Sequence, residues 1–477
     1  MFATVPVPAW PGLLHRWLQH PGTTALLWLI AGILAIWLLH TAWHTFDNPP
    51  NTPPERCRID GNCGHTHIDF GAQWLMGRMI ATGRGQHLYH RQWLWLTAQE
   101  GFSYEQEPPL IRQQVVLPVS QRYGLQPEDD VRHDAEKLMG WLMGEDAPGW
   151  GQLGGLVGAV LAPVTPAPLP LWHPPVLQAI QTMATPAWLA QLEQPAIGGP
   201  LYPPVQAVWY APLGLLPPQR AYRLFQVLAL VLVFVAAWAV SRLTGQRIPW
   251  PLAAIGLLLY PGTRAALDLA QNPTLTLTLL VLGWLAFSRG REILAGCLWG
   301  CLAFKPVWAA AFLLVPLLMG RWKFLLAMCM TGVTWIVITL PFVGLHSWWE
   351  WLEVGRLANA LYCVDDNWIH LSRDLHGIPR RFLHDFSQPA DHRDTLLAQA
   401  LAWTLWGGVL LVTVVVYRLR VQQRRSSGIG AAFLLLGAWL CCYRFMYYDV
   451  LLTALAWAAL LAEHWTGFRN AATPWYH

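Results

Sequence analysis

The sequence predicts an all-α polytopic membrane protein, and three observations carry that prediction. Of 477 residues, 55% are hydrophobic and only 12% are charged, whereas about a quarter of an ordinary soluble domain is charged. The apolar residues gather into long runs separated by basic loops. Thirty tryptophans suit the boundary between lipid and water. A soluble chain this apolar would need a very large core, which a bilayer makes unnecessary. The net charge of +4 gives no case for a nucleic-acid partner, and membrane lipid is the expected surrounding.

The first run is Thr24–Ala42. It is long enough to cross a bilayer as a helix and lacks an Ala-x-Ala-like cleavage site, so it reads as an uncleaved anchor. Further runs lie at 221–241, 248–262, 265–287, 292–304, 306–320, 323–343, 397–417, 428–442 and 446–463. They give about ten transmembrane helices, several of them short for a full crossing. The proline-flanked segment Pro203–Leu216 reads as re-entrant or surface-lying, and the Gly- and Pro-rich run 151–175 is ambiguous. Crossings there would raise the count to about twelve.

Basic loops set the orientation. Arg242 with Arg247, Arg289 with Arg291, Arg321 with Lys323, and Arg418, Arg420, Arg424 and Arg425 fall on one side, together with Arg16. That side is cytoplasmic by the positive-inside rule. The expected organisation is a cytoplasmic N-terminus (1–23), a first transmembrane helix (24–45) and a large extracytoplasmic loop with juxtamembrane helices (46–220). A transmembrane core (221–343), a second extracytoplasmic loop (344–396), C-terminal transmembrane helices (397–463) and a cytoplasmic tail (464–477) follow. Within the first loop, Val131–Leu142 is amphipathic. Cys57 and Cys63 share that loop, and their spacing leaves a disulfide open. Cys297, Cys301, Cys329, Cys441 and Cys442 read as small packing residues within spans.

Charged groups inside spans cost about 2.5–3.5 kcal/mol on insertion scales, so each needs a reason. Arg264, Asp268, Gln271 and Asn272 open one span, and helical spacing puts the first three on one face. Lys305 precedes Pro306 at a break, and Arg444 and Asp449 flank Phe445–Tyr448. The expected topology sets all of these at the outer surface, at the depth of Asp69. One reading makes Arg264–Asp268 and Arg444–Asp449 structural ion pairs. The other makes a cationic pocket for an outward-facing phosphate.

The run His67-Ile-Asp69-Phe-Gly-Ala-Gln-Trp74, followed by Ala81-Thr-Gly83-Arg-Gly85-Gln-His-Leu88-Tyr89, resembles the start of the first outer loop in glycosyltransferase family 87. Leu201-Tyr202-Pro203-Pro204 through Ala211-Pro212-Leu213 and Leu216-Pro217 resembles that family's Tyr-Pro-Pro segment. Ala270-Gln271-Asn272 resembles its Gly-Gln-rich helix start. Leu294-Ala-Gly296 through Phe304-Lys305-Pro306 and Gly320-Arg-Trp322 resembles its paired spans. The order of these motifs holds over roughly 300 residues. Three features depart from the pattern: Ala270 stands where Gly is common, Asn367 matches loosely, and the stretch near 100–195 is long.

The resemblance implies a GT-C type bundle in the plasma membrane. It implies an inverting hexosyltransferase that moves a sugar, mannose by family weighting, from a polyprenyl-phosphate donor to a glycolipid or glycan acceptor on the extracytoplasmic side. It implies no metal and no cofactor beyond the lipid-linked donor. Asp69 takes the place of the family's catalytic Asp; its plain alternative is an N-cap. A general base suffices because phosphate already leaves well. Lys305, Arg264 and Arg444 are the candidate phosphate cations, with Lys305 favoured by the family pattern. Gln271 and Tyr202 are candidate sugar contacts, with Asp268, His67 and Asn367 also in the substrate-binding set. His65, His67 and Asp69 form a His-x-His-x-Asp run for which a metal is the weaker reading. A lipid-linked sugar flippase is the rival class. It should show internal repeats and midplane charges, whereas no repeat is visible and the polar groups gather towards one face.

Overall fold

The computed structural model describes residues 20–43, 69–89, 201–388, 390–421 and 426–470, together with Leu18 and Thr97. The described residues are helical, and strand pairing among them is limited to the isolated bridge Ser372–Met446. Val131–Leu142, the 151–175 run, Cys57, Cys63, His65 and His67 lie outside the described residues.

Among the described residues, four helices are long and apolar enough to cross a membrane: Pro21–Trp43, Pro218–Leu243, Trp322–Val343 and Leu396–Leu419. Five shorter apolar helices, Pro273–Ser288, Glu292–Phe304, Pro306–Leu318, Ile429–Leu440 and Tyr447–Ala462, stand near expected spans. The chain is therefore an all-α membrane protein. Exposed Leu29 (60%) and Ile36 (71%) on the first helix are side chains that lipid would cover.

The chain divides into two compact units. The larger comprises residues 1–44, 226–334 and 363–477. It holds α1 (Pro21–Trp43), most of α4 (Pro218–Leu243), α5 (Trp250–Leu258), α6 (Thr263–Asp268), α7 (Pro273–Ser288), α8 (Glu292–Gly300) and α9 (Pro306–Leu318). It also takes in most of α10 (Trp322–Val343), α12 (Asp366–Leu371), α13 (Gly377–Leu383), α14 (Ala390–Arg393), α15 (Leu396–Val416), α16 (Ile429–Leu440) and α17 (Ala454–Asn470). Helix α1 packs on α5 and α6, α7 on α8, and α16 on α9 and α17. The expected continuous span 265–287 is two helices. Ala270, with φ 45°, breaks it, and Pro273 restarts it at the first helical position, where its missing N–H costs nothing. Gln271 therefore does not continue the α6 face that carries Arg264 and Asp268.

The smaller unit comprises residues 45–225 and 335–362. It holds α2 (Phe70–Ala81), a short 3₁₀ turn (Gly85–His87), α3 (Pro204–Gly214) and most of α11 (His346–Val364). The segment 203–216, expected to be re-entrant or surface-lying, is a helix packed along α2. Gly77 permits that approach, since a Cβ there would collide with the Tyr210 carbonyl. Phe70, Tyr210, Tyr222 and Phe225 close the interface with mutual ring contacts. Trp74 Nε1 donates to the Leu216 carbonyl at 2.9 Å, and Arg78 Nη1 to the Gly214 carbonyl at 3.2 Å.

Candidate functional site

In the smaller unit, Asp69 sits at the entrance of α2 with φ 54° and ψ −112°. A non-glycine residue held in the left-handed half of backbone space is strained by about 1–3 kcal/mol, and such residues cluster at functional sites. Its carboxylate makes no capping bond to the α2 backbone. The helix entrance is instead closed from within, by Gln73 Nε2 and N donating to the Asp69 carbonyl at 3.1 and 3.4 Å. The carboxylate is thus not used as a cap.

The segment after α2 is tied down by its neighbours. Tyr89 Oη donates to the Tyr202 carbonyl at 2.7 Å, so the main chain of the Tyr-Pro-Pro motif is fixed and its ring is half-buried. Glu350 on α11 was not singled out from sequence. It is 4% exposed, with Oε1 3.3 Å from His346 Nε2. Burial pushes its carboxyl up to about 7, because the half-exposed His346 offsets little of the desolvation.

In the larger unit the hub is the segment Tyr443–Thr453. Lys305 Nζ lies 2.8 Å from Asp449 Oδ1, and both side chains are buried. Asp449 Oδ2 accepts from the Met446 N–H at 3.2 Å, and Lys305 stands over the Tyr448 ring at 5.5 Å. Arg444 reaches Asp374 Oδ1 at 3.5 Å and Cys363 Sγ at 2.9 Å, and lies over the Tyr443 ring. The residues flanking Phe445–Tyr448 therefore take separate partners, Arg444 with Asp374 and Asp449 with Lys305. Asp374 also accepts from the Gly377 N–H at 2.8 Å. Burial raises its carboxyl above the usual range, partly offset by Arg444.

The Arg373 N–H donates to the Phe445 carbonyl at 3.0 Å, beside the Ser372–Met446 bridge. This joins the 372–377 loop to the 443–449 turn, two segments that the positive-inside reading assigned to one side. Helix α6 packs on the same hub. Gly262 at its start has φ 90° and would collide with the Tyr448 carbonyl if it carried a Cβ. Arg264 lies 3.6 Å from Asp268, is 62% exposed, and stands over the Trp37 ring. Gln271 and Asn272 are buried. Asn367 belongs to α12, whose N-cap Asp365 accepts from the Trp368 N–H at 2.9 Å.

The hub thus gathers Lys305, Arg444 and the Arg264–Asp268 helix. Sequence reasoning missed Asp374, His376 and Glu350. Asp374-Leu-His-Gly377 had the signal of a turn in which Asp accepts from a following N–H. Glu350 had the signal of an acid set among Trp348, Trp349 and Trp351. A cleft of about 340 Å³ lined by Phe287, Ser288, Gly290, Glu292, Arg321, Ser426 and Ser427 contains none of the expected site residues.

No curated protein and no solved structure matches the chain. The family model described as glycosyltransferase family 87 matches residues 201–443, a range that includes Tyr202, Arg264, Asp268, Gln271, Lys305 and Asn367 and begins after His67 and Asp69. That match covers half of the sequence, and the chain, a membrane glycosyltransferase, belongs to glycosyltransferase family 87.

Proposed function

We propose that the chain moves a hexose, mannose in the first place, from a polyprenyl-phosphate carrier to a glycolipid or glycan acceptor. The transfer takes place on the extracytoplasmic face of the plasma membrane and inverts the anomeric carbon, with Asp69 as general base. The observation that carries this reading is the strained Asp69 at the entrance of α2, its carboxylate not used as a cap. In the reaction, Asp69 takes the proton of the acceptor hydroxyl as its oxygen bonds to the sugar carbon. The bond from that carbon to the carrier phosphate breaks, and its electron pair leaves with the phosphate.

The departing phosphate gains charge and calls for cations. Lys305 is neutralised by Asp449 and buried, so its role in this scheme is to hold the Tyr447–Thr453 turn. Arg264 is the exposed guanidinium. Arg444 lies 3.5 Å from Asp374 with 11% of its side chain exposed, at the outer end expected for the 443–449 turn. We therefore assign the phosphate to Arg264 and Arg444, and sugar contacts to Tyr202, Gln271 and Asn367, with Asp268 and His67 in the wider substrate set.

The test uses full-length protein in lipid nanodiscs with a polyprenyl-phosphate mannose donor and a glycolipid acceptor. Wild type transfers sugar, and Asp69→Asn binds donor without transferring it. Undiminished transfer by Asp69→Asn removes the base, and unchanged donor binding by Arg264→Ala removes that phosphate contact.

A further inference from the structure

Helix α11 closes on two strips of chain that lie far apart in sequence. Ser347 Oγ donates to the Gln86 carbonyl at 3.1 Å, and Trp351 Nε1 donates to the Leu201 carbonyl at 3.2 Å. Tyr89 Oη then links the two strips through the Tyr202 carbonyl at 2.7 Å. Glu350 stands on α11 between Ser347 and Trp351. Its Oε2 is buried and has no hydrogen-bond partner among the described residues. An ionised carboxylate with an unsatisfied buried oxygen is costly, and protonation relieves the cost.

Among the described residues, the titratable groups facing Glu350 are His346 on its own helix and Tyr89 from the adjoining segment, with His87 beyond His346. Burial and then the Glu350 charge raise the Tyr89 hydroxyl well above its ordinary value. Burial and then His346 lower His87. Nothing in this set donates to Oε2.

We infer that Glu350 is a positioning residue whose protonation state sets how firmly α11 holds the Gln86–Tyr89 and Leu201–Tyr202 strips. The neutral carboxyl lets the seam close. The carboxylate drives the seam apart towards water, and the grip on the far end of the Asp69 helix segment and on Tyr202 loosens. The sign follows from the raised pKa of about 7. The contribution is full below the ordinary carboxyl range, falls by up to about tenfold in the closing equilibrium per pH unit above that range, and is gone once pH has risen through about 7.

The effect on sugar transfer rests on the proposed function, but the closing of the seam does not. The experiment is hydrogen exchange by mass spectrometry on the full chain in nanodiscs, reading peptides that cover 84–89 and 200–206. Each wild-type measurement is compared with Glu350→Gln at the same pH, which cancels the intrinsic dependence of exchange on pH. Near-equal exchange at pH 4.5, and at least about tenfold faster exchange in wild type at pH 7.5, is the expected result. Glu350→Leu provides a second charge-free variant should the amide fold poorly. Equal rates in wild type and variants at both pH values overturn the inference, as does a variant that exchanges faster at both, which marks Glu350 as structural filling. In the transfer assay, Glu350→Gln should remove the fall in rate as pH rises towards 7; an absence of transfer in every protein would count against the proposed function and leave the exchange result standing.

Discussion

Lys305 Nζ donates to Asp449 Oδ1 at 2.8 Å, with 9% and 1% of the two side chains exposed. Removing one member of such a pair strands the other charge in a dry environment at a cost of about 3–5 kcal/mol, while replacing both with apolar groups is often neutral. Lys305→Met and Asp449→Leu should each lower the unfolding temperature in detergent, and the double variant should recover most of the loss. Single variants as stable as wild type would show that the pair does not hold the turn.

Asp69 makes a prediction that separates strain from chemistry. Asp69→Asn should lower turnover by about 10²–10⁴-fold with donor affinity unchanged. Asp69→Gly should be equally inactive yet at least as stable, because glycine gives back about 1–2 kcal/mol of left-handed backbone cost. Thermal unfolding and single-turnover transfer on the two variants check this. A destabilised Gly variant beside an active Asn variant would contradict both halves.

Ala270 also has a positive φ, 45°, at the α6–α7 break. This is the position at which the family commonly has glycine, and the positive φ supplies the physical reason. Ala270→Gly should change stability by between zero and about +1 kcal/mol, the relieved strain being partly offset by unfolded-state entropy. Ala266→Gly, inside helix α6, should cost about 1 kcal/mol. Equal losses in a side-by-side thermal melt would refute the left-handed assignment.

His376 predicts an acid limb. It is buried beside the rings of Trp403 and Tyr443, with centroids at 4.6 and 4.7 Å. Burial first, then Arg444 and Arg380, push it down to about 4. The folded chain therefore refuses a proton that the unfolded chain accepts. Stability is intact above about pH 6.5 and falls between 6.5 and about 4, by at most about 1.4 kcal/mol per pH unit. Asp374, raised by burial, acts in the opposite sense, so the comparison must be with His376→Phe. Melting temperatures of the two proteins should converge as pH falls from 7.5 to 5, and parallel curves would sink the assignment.

What could be read in advance followed from local rules. Apolar runs located the helices, because lipid demands internally bonded backbone. Pro306 marked a restart, because proline fits the first helical position. The 265–287 span was read as unbroken because Ala270 is a good helix former, and only tertiary context forces it left-handed. Asp449 was paired in sequence with nearby Arg444, since proximity along the chain was the available guide. Its partner Lys305 stands 144 residues away. Glu350 escaped notice because an acid among tryptophans looks like a surface residue until the surrounding main chain is in place.

The bond from Tyr89 to the Tyr202 carbonyl ties together two points 113 residues apart, beside the place where α2 lies directly on α3. A segment closed at its base in this way can change length cheaply, since each doubling adds only about 0.6 kcal/mol of closure entropy. Insertions and deletions there should be absorbed without disturbing that tie, which gives a lineage room to vary the intervening chain while the α2–α3 pair stays put.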